Sequence, residues 1–363
     1  MKKGIIWMMF LILALSMACS VLNTEKEFTV QRGTNISHWL SQSDRRGEQR
    51  VAWFTEEDVA YLAGLGFDHL RIPVDEEQLW DEEGNKDAEA FTLLNNALDW
   101  CEQHGLRAIV DLHILRSHYF NALEIPLWTD PAAQDHFVQL WRDLSEELKD
   151  RPNHLVAYEL MNEAVADDPE DWNKLAARAY AAIRENEPER VIVIGSNRWQ
   201  IVDTFDVLKV PENDPNILLS FHFYTPMTLT HHQASWWRNG GEYTGPVKYP
   251  GLIVEEEDLK GFPKNVQETT RSNNGVYNAE VLEALLEKPL KKREETGLPL
   301  YCGEWGCLPT VPEKARLQWY TDMRTMFKKN NVGWATWDYK GDFGIRNRKT
   351  GEPVEPLIEV LLK

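Results

Sequence analysis

From Val30 to Leu362 the chain alternates short apolar runs with longer helical stretches, and no long linker interrupts the early part of the pattern. Eight runs read as strands: Val30–Ser37, Phe67–Pro73, Leu106–His113, Leu155–Asn162, Arg190–Gly195, Asn216–Tyr224, Leu298–Glu304 and Gly333–Trp337. They are apolar almost throughout rather than every second residue, which marks strands buried on both faces and therefore a parallel sheet covered by helices. Helices are predicted over Thr55–Leu65, Ala90–His104, Asp130–Asp150, Glu170–Asn186, Ala279–Glu295 and Pro312–Lys329, with shorter ones near Trp199–Leu208 and Pro353–Leu362. Thr55 with Asp58 three residues on forms a capping signal, and Gly66 supplies the stop. The expectation is an α/β fold, a single (β/α)8 TIM barrel. An open doubly wound sheet is the runner-up, but no glycine-rich phosphate loop follows the first strand, where a dinucleotide binder needs one.

The rhythm breaks once. About 54 residues between Tyr224 and Ala279 show no clear helix, and connections of that length are usually functional. This one carries Trp236, Trp237, Tyr243, Tyr249, Pro226, Pro246 and Pro250. That composition predicts an ordered wall beside the C-terminal end of the sixth strand.

Composition narrows the function classes. The net charge of −19 argues against nucleic acid or an anionic surface as partner. The 15 tryptophans exceed ordinary usage. Core packing is expected to take more than half of them, leaving some whose flat faces suit the apolar C–H faces of sugar rings. No Cys/His spacing suggests zinc.

The N-terminal 19 residues read as an export signal: Lys2 and Lys3, an apolar run from Ile5 to Leu15 too short to span a bilayer, then Ser16-Met17-Ala18-Cys19. A small residue before cysteine resembles a bacterial lipoprotein signal with Cys19 as the lipid attachment site. Cleavage near Ala18 as an ordinary signal, or an uncleaved anchor, are the alternatives. Residues 20–27 then form a tether and residues 28–363 the barrel domain. The expected location is the periplasm, outer membrane or cell surface, with membrane contact only through the lipid. Of the other cysteines, Cys101 is expected in a helix, and Cys302 and Cys307 bracket Glu304 as a bridge or as two free thiols.

Polar residues collect at the predicted strand ends, where a barrel places its chemistry. They are Asn35, Arg71, His113, Asn162 with Glu163, His222 with Tyr224, Glu304 and Trp337. Two carboxyl groups at the ends of different strands are what glycosidic cleavage needs, one to give a proton and one to attack or to activate water. An ionised Glu304 needs a cation such as Arg71 to lower its pKa, and Tyr224 as donor, while Glu163 needs a raised pKa to hold its proton. Asn162 can donate to a sugar 2-hydroxyl, His113 and His222 can orient substrate or carboxylate, and Trp337 offers a stacking face. Taken singly, each histidine, Arg71 or Trp337 reads as core or as a structural ion pair; their joint placement argues against that.

At this point the chain resembles glycoside hydrolase family 5, the cellulase-type glycosidases. The resemblance rests on Arg32-Gly-Thr-Asn-Ile-Ser37, Leu70-Arg-Ile-Pro73, Asp111-Leu-His113, Leu160-Met-Asn-Glu163, Ser220-Phe-His-Phe-Tyr224, Gly303-Glu-Trp-Gly306 and Trp337. It implies Glu163 as acid/base, Glu304 as nucleophile, retention of anomeric configuration, no cofactor, and a β-glycan polysaccharide or oligosaccharide as partner. Endo-β-1,4-glucanase activity by a monomer is the leading expectation. β-Mannan, mixed-linkage or β-1,3-glucan, xyloglucan and exo-acting β-glucosidase activity are rivals; a transglycosylase or a non-catalytic carbohydrate-binding protein are remoter ones. Two segments depart from the family pattern. Thr230-His-His-Gln-Ala-Ser-Trp236 resembles a Thr-His-Gln-Gly-Ala-x-Trp segment, with His232 in the Gln place and Gln233 in the Gly place, and Asp111-Leu-His113 runs on into Ile-Leu-Arg-Ser-His118. His118 and Trp236 therefore join the candidate substrate-binding or supporting residues.

Overall fold

The computed structural model describes residues 27–363. The export signal and Cys19 lie outside them. Among the described residues no helix is long and apolar enough to cross a membrane.

Eight parallel strands close into a barrel: β1 (Arg32–Asn35), β2 (His69–Asp75), β3 (Arg107–Ile114), β4 (Val156–Glu159), β5 (Ile192–Gly195), β6 (Ile217–Phe223), β7 (Leu300–Trp305) and β8 (Gly333–Thr336). Each pairs with its neighbour in sequence, and β8 pairs with β1 through Arg32–Trp334, Gly33–Ala335 and Thr34–Thr336. All eight runs read from sequence become strands, most of them trimmed, while β2, β3 and β7 start later and run one or two residues further than expected. Pairing ends where the chain turns to deliver side chains to the mouth, so Asn162 and Trp337 fall just past their strands.

Two cores hold the barrel. Outside, the strands pack on amphipathic helices such as Pro131–Leu148, which buries Phe137, Leu140, Trp141, Leu144 and Leu148 against the sheet. Inside, Ile109, Ala157, Val193, Leu218, Tyr301 and Ala335, one from each of β3 to β8, form a separate cluster stopped from below by Phe28, Val30 and Val191. The inner cluster leaves the upper barrel free for polar groups, as barrel layering requires. Helix starts are encoded locally. Asp87, Asp130 and Asp168 each accept a first-turn backbone N–H, two of them followed by proline at the first helical position. Thr55 and Asp58 form the predicted capping box. Eight of the fourteen tryptophans among the described residues are buried.

Three helix expectations need correction. The long connection after β6 is not without helix: it contains Lys264–Ser272, shorter turns, and an antiparallel pair joining Gly251–Leu252 to Val276–Tyr277. Lys264–Ser272 buries only Val266 and Thr270, so its sequence carries no apolar stripe to read. The expected helix Ala279–Glu295 is two helices, Ala279–Ala284 and Glu287–Thr296, because Pro289 lacks the N–H a continuous helix would use. The element near Trp199–Leu208 resolves into a left-handed turn at Arg198–Gln200 and a 3-10 helix over Val202–Val207. Cys101, Cys302 and Cys307 are free thiols.

Candidate active site

At the C-terminal mouth of the barrel the centre is Arg71, fully buried on β2. Its Nε meets Glu159 Oε2 at 2.6 Å, and its Nη1 meets Asn35 Oδ1 and Glu304 Oε1, both at 2.8 Å. Its Nη2 lies 3.0 Å from Asn162 Oδ1, 3.0 Å from Asp111 Oδ2 and 3.2 Å from Glu159 Oε1. A guanidinium presents a planar fork of donors that a lysine lacks, and here the fork serves groups from β1, β3, β4 and β7. Three carboxylates, Asp111, Glu159 and Glu304, converge on this one cation and hold its pKa well above the ordinary value against the opposing effect of burial. Asn35 completes its own bonding by donating to the Gly303 and Thr336 carbonyls at 2.9 and 3.2 Å. It is a barrel strut beneath Arg71.

Glu304 receives Arg71 on Oε1 and the Tyr224 hydroxyl on Oε2 at 2.9 Å. Glu163 follows β4 at φ +48°, a left-handed conformation rare outside glycine. Its Oε1 lies 2.9 Å from His222 Nδ1, which is itself 3.6 Å from Glu304 Oε2. Oxygens of Glu163 and Glu304 and a His222 nitrogen all lie within 4.8 Å of one another. Such a trio could in principle hold a cation, but Arg71 and Tyr224 already occupy both oxygens of Glu304 with donors.

Burial pushes the Glu163 carboxyl well above the ordinary carboxylate range, and the Glu304 charge pushes it further. Burial also raises Glu304, against the expectation that Arg71 would bring it below that range; Arg71 and Tyr224 offset the burial only in part. The asymmetry survives. Glu163 is displaced further and lacks the guanidinium contact, so it keeps its proton when Glu304 has lost its own. Burial drives His222 well below the ordinary histidine range and His113 down to about 3, so both rings are neutral. His113 Nδ1 sits 2.6 Å from Asp111 Oδ2, and its ring stacks on Trp337 at 5.5 Å and 8°.

Three buried polar atoms in this shell have no protein partner: Asn162 Nδ2, His222 Nε2 and Asp111 Oδ1. Asn162 Nδ2 and His222 Nε2 are thus free to bond a group that enters the mouth. The remaining candidates divide. Trp236 is half exposed, on a wall with His231 and Phe343. His118 is fully buried, its Nε2 accepting the Val165 N–H at 3.3 Å, so it props the segment after Glu163. Gln233 stands at φ +63°, in the place where the similar segment has glycine, and His232 Nε2 lies 2.9 Å from the Gly245 carbonyl oxygen within the loop.

Sequence reading missed Glu159 and Gln200. Glu159 was hidden inside a predicted strand, although a charged residue in a run buried on both faces is itself a signal. Gln200 belongs to three successive left-handed residues, Arg198, Trp199 and Gln200, at φ +55°, +61° and +53°. Each costs roughly 1–2 kcal/mol without glycine, and no propensity predicts such a run. A cavity of about 1760 Å3 lies at the opposite mouth, lined by Phe28, His154, Lys209 and Arg324 among others, away from this shell.

A closed parallel barrel with a carboxylate pair and an arginine at its C-terminal mouth defines a barrel glycosidase. The family description "Cellulase (glycosyl hydrolase family 5)" matches residues 24–342, and the chain belongs to that family. Endoglucanase C of Acetivibrio thermocellus is 31% identical over 339 residues, covering 91% of this chain and 97% of that one. Cellodextrinase A of Ruminococcus flavefaciens is 27% identical over 83% of each chain. The fold matches Thermotoga maritima Cel5A in complex with cellobiose at a TM-score of 0.75 and 22% identity, covering 93% and 99% of the two chains. The same protein in complex with mannotriose matches at 0.74.

Proposed function

We propose that this protein is a retaining endo-β-1,4-glucanase in which Glu304 is the nucleophile and Glu163 the acid/base. The observation that carries the reading is the closeness of the pair: His222 Nδ1 lies 2.9 Å from Glu163 Oε1 and 3.6 Å from Glu304 Oε2, and one oxygen of each carboxyl group lies within 4.8 Å of the other. Inverting enzymes hold theirs about 6.5–9.5 Å apart to admit a water, and retaining ones about 5–5.5 Å. In the first step a Glu304 oxygen bonds to the anomeric carbon while the bond to the leaving sugar breaks, and Glu163 gives its proton to the departing oxygen. In the second, Glu163 takes a proton from water as that water attacks the glycosyl ester and frees Glu304. Asn162 Nδ2 donates to the sugar 2-hydroxyl, and Trp337 floors the cleaved unit. Linkage follows Endoglucanase C.

The test is a panel of carboxymethylcellulose, lichenan, mannan, xyloglucan, laminarin and aryl glucosides, with product sizing over time. Mannan is included because a structural neighbour holds mannotriose. Glucan cleavage into a broad range of early products is expected; release of single sugars from one end would overturn endo action. Glu163→Ala and Glu304→Ala should each abolish glycan cleavage, and only Glu304→Ala should also fail in the first step on an activated aryl glycoside. Residues 1–19 are proposed to export the chain and Cys19 to carry lipid. Metabolic labelling with palmitate tests this: label lost in Cys19→Ala supports it, and an unlabelled parent excludes it.

A further inference from the structure

We propose that Gln200 is the positioning residue of Glu163; the proposal rests on Glu163 being the acid/base. Gln200 is 1% exposed and both polar atoms of its side chain are engaged. Its Oε1 accepts the Glu163 backbone N–H at 2.8 Å, and its Nε2 donates to Glu159 Oε1 and to Ser220 Oγ, both at 3.1 Å. Glu159 Oε1 also takes Arg71 Nη2 at 3.2 Å, and Arg71 Nη1 holds Glu304 Oε1 at 2.8 Å. One continuous chain of hydrogen bonds therefore runs from the peptide of one catalytic carboxylate to the side chain of the other.

Two features show how the fold brings Gln200 there. The left-handed run over Arg198–Gln200 turns the side chain into the barrel, and its strain is sustained from outside by Trp199 Nε1, which donates to the Phe120 carbonyl at 3.0 Å. Backbone strain of this kind persists where the surroundings over-determine it, and it clusters at functional sites. Gly195, the last residue of β5, leaves the space the carboxamide fills: a Cβ there would collide with the Gln200 side chain. The peptide fixed by Gln200 is the one that sits at φ +48°, so the anchor acts at the least relaxed point of the β4 loop. Without it Glu163 loses the reference that sets its distance to the glycosidic oxygen.

The experiment compares Gln200→Met, which keeps the volume and removes the hydrogen bonds, with Gly195→Ala and Glu163→Ala. Substrates are a cello-oligosaccharide and dinitrophenyl cellobioside, whose leaving group departs without a proton. For Gln200→Met, kcat/KM on the oligosaccharide should fall about 100-fold, the loss typical of a small misplacement of a catalytic group. On the dinitrophenyl substrate kcat/KM should change by less than about threefold, because its first step needs no acid. Azide should raise kcat there: its nitrogen bonds to the anomeric carbon, Glu304 leaves as carboxylate, and glycosyl azide forms without a base. Gly195→Ala should give the same pattern. Retained cleavage of the dinitrophenyl substrate reports that the variants fold. Equal losses on both substrates, or no loss on either, would overturn the proposal. If Glu163→Ala itself loses activity equally on both substrates, the assignment of Glu163 fails first, and that result is separable from the behaviour of Gln200→Met.

Discussion

The Tyr224 hydroxyl donates to Glu304 Oε2 at 2.9 Å, on the carboxylate oxygen that Arg71 does not hold. This bond favours the ionised form, while burial favours the neutral one. Glu163 is raised by burial and again by the charge on Glu304. The pH profile of kcat/KM should therefore be a bell. Its acid limb is Glu304 losing a proton and its alkaline limb Glu163 losing one, both above the ordinary carboxylate range. In Glu304→Gln the neighbouring charge is gone, so the Glu163 pKa should fall. Carbon NMR titration of labelled Glu163 in that variant measures the shift directly, and an unchanged pKa would remove the electrostatic basis of the asymmetry.

Asn162 offers a free Nδ2 while its Oδ1 is held by Arg71 at 3.0 Å. If Nδ2 meets the 2-hydroxyl in the transition state, Asn162→Ala should lower kcat by about 100-fold or more, in line with other donors aimed at developing charge. The KM should move little. On a 2-deoxy substrate the same substitution should cost almost nothing, and the double-mutant logic makes that comparison decisive.

Asp75 is buried at the end of β2; its Oδ2 accepts the Gln42 N–H at 2.6 Å and its Oδ1 has no partner. Burial raises its pKa to about 7. A carboxyl raised in the folded state stabilises fully below its unfolded pKa, and that stability is lost as pH rises towards 7. Asp75→Asn keeps an acceptor for Gln42 and cannot ionise. The variant should match the parent near pH 4 and be more stable near pH 7, by at most about 4 kcal/mol. Chemical denaturation at the two pH values checks it; a variant less stable at pH 7 would mean the charge is satisfied.

Trp236 is 49% exposed, beside His231 and Phe343. Trp236→Ala should raise KM about five- to tenfold on longer oligosaccharides, the loss of one stacked aromatic contact of about 1 kcal/mol. Turnover of a short aryl cellobioside should be unaffected. Equal effects on both substrates would place the ring outside the binding track.

The barrel was legible because strands buried on both faces announce themselves as apolar runs, and because Arg71, Glu163, His222 and Glu304 interrupt or close those runs where a core residue belongs. What was not legible came from geometry that a local pattern does not carry. Lys264–Ser272 is a helix by packing of two residues, not by a stripe. Gln200 arrives through a left-handed run, and Glu159 acquires meaning only once Arg71 lies across the barrel from it. His118 was readable only as a candidate near the cleft; the fold buries its ring, with Nε2 on the Val165 N–H at 3.3 Å and Nδ1 unpartnered.

The long connection after β6 meets the rim through Trp319 Nε1 on the Thr225 carbonyl at 3.1 Å and the Leu308 N–H on the Thr230 carbonyl at 2.9 Å, whereas Arg71 draws its partners from the β1, β3, β4 and β7 side of the mouth. Chemistry and wall are thus written in separate stretches of chain. Lineages, or engineers, can exchange the segment between Thr225 and Asn278 to shift sugar preference while the bond-breaking apparatus is inherited unchanged.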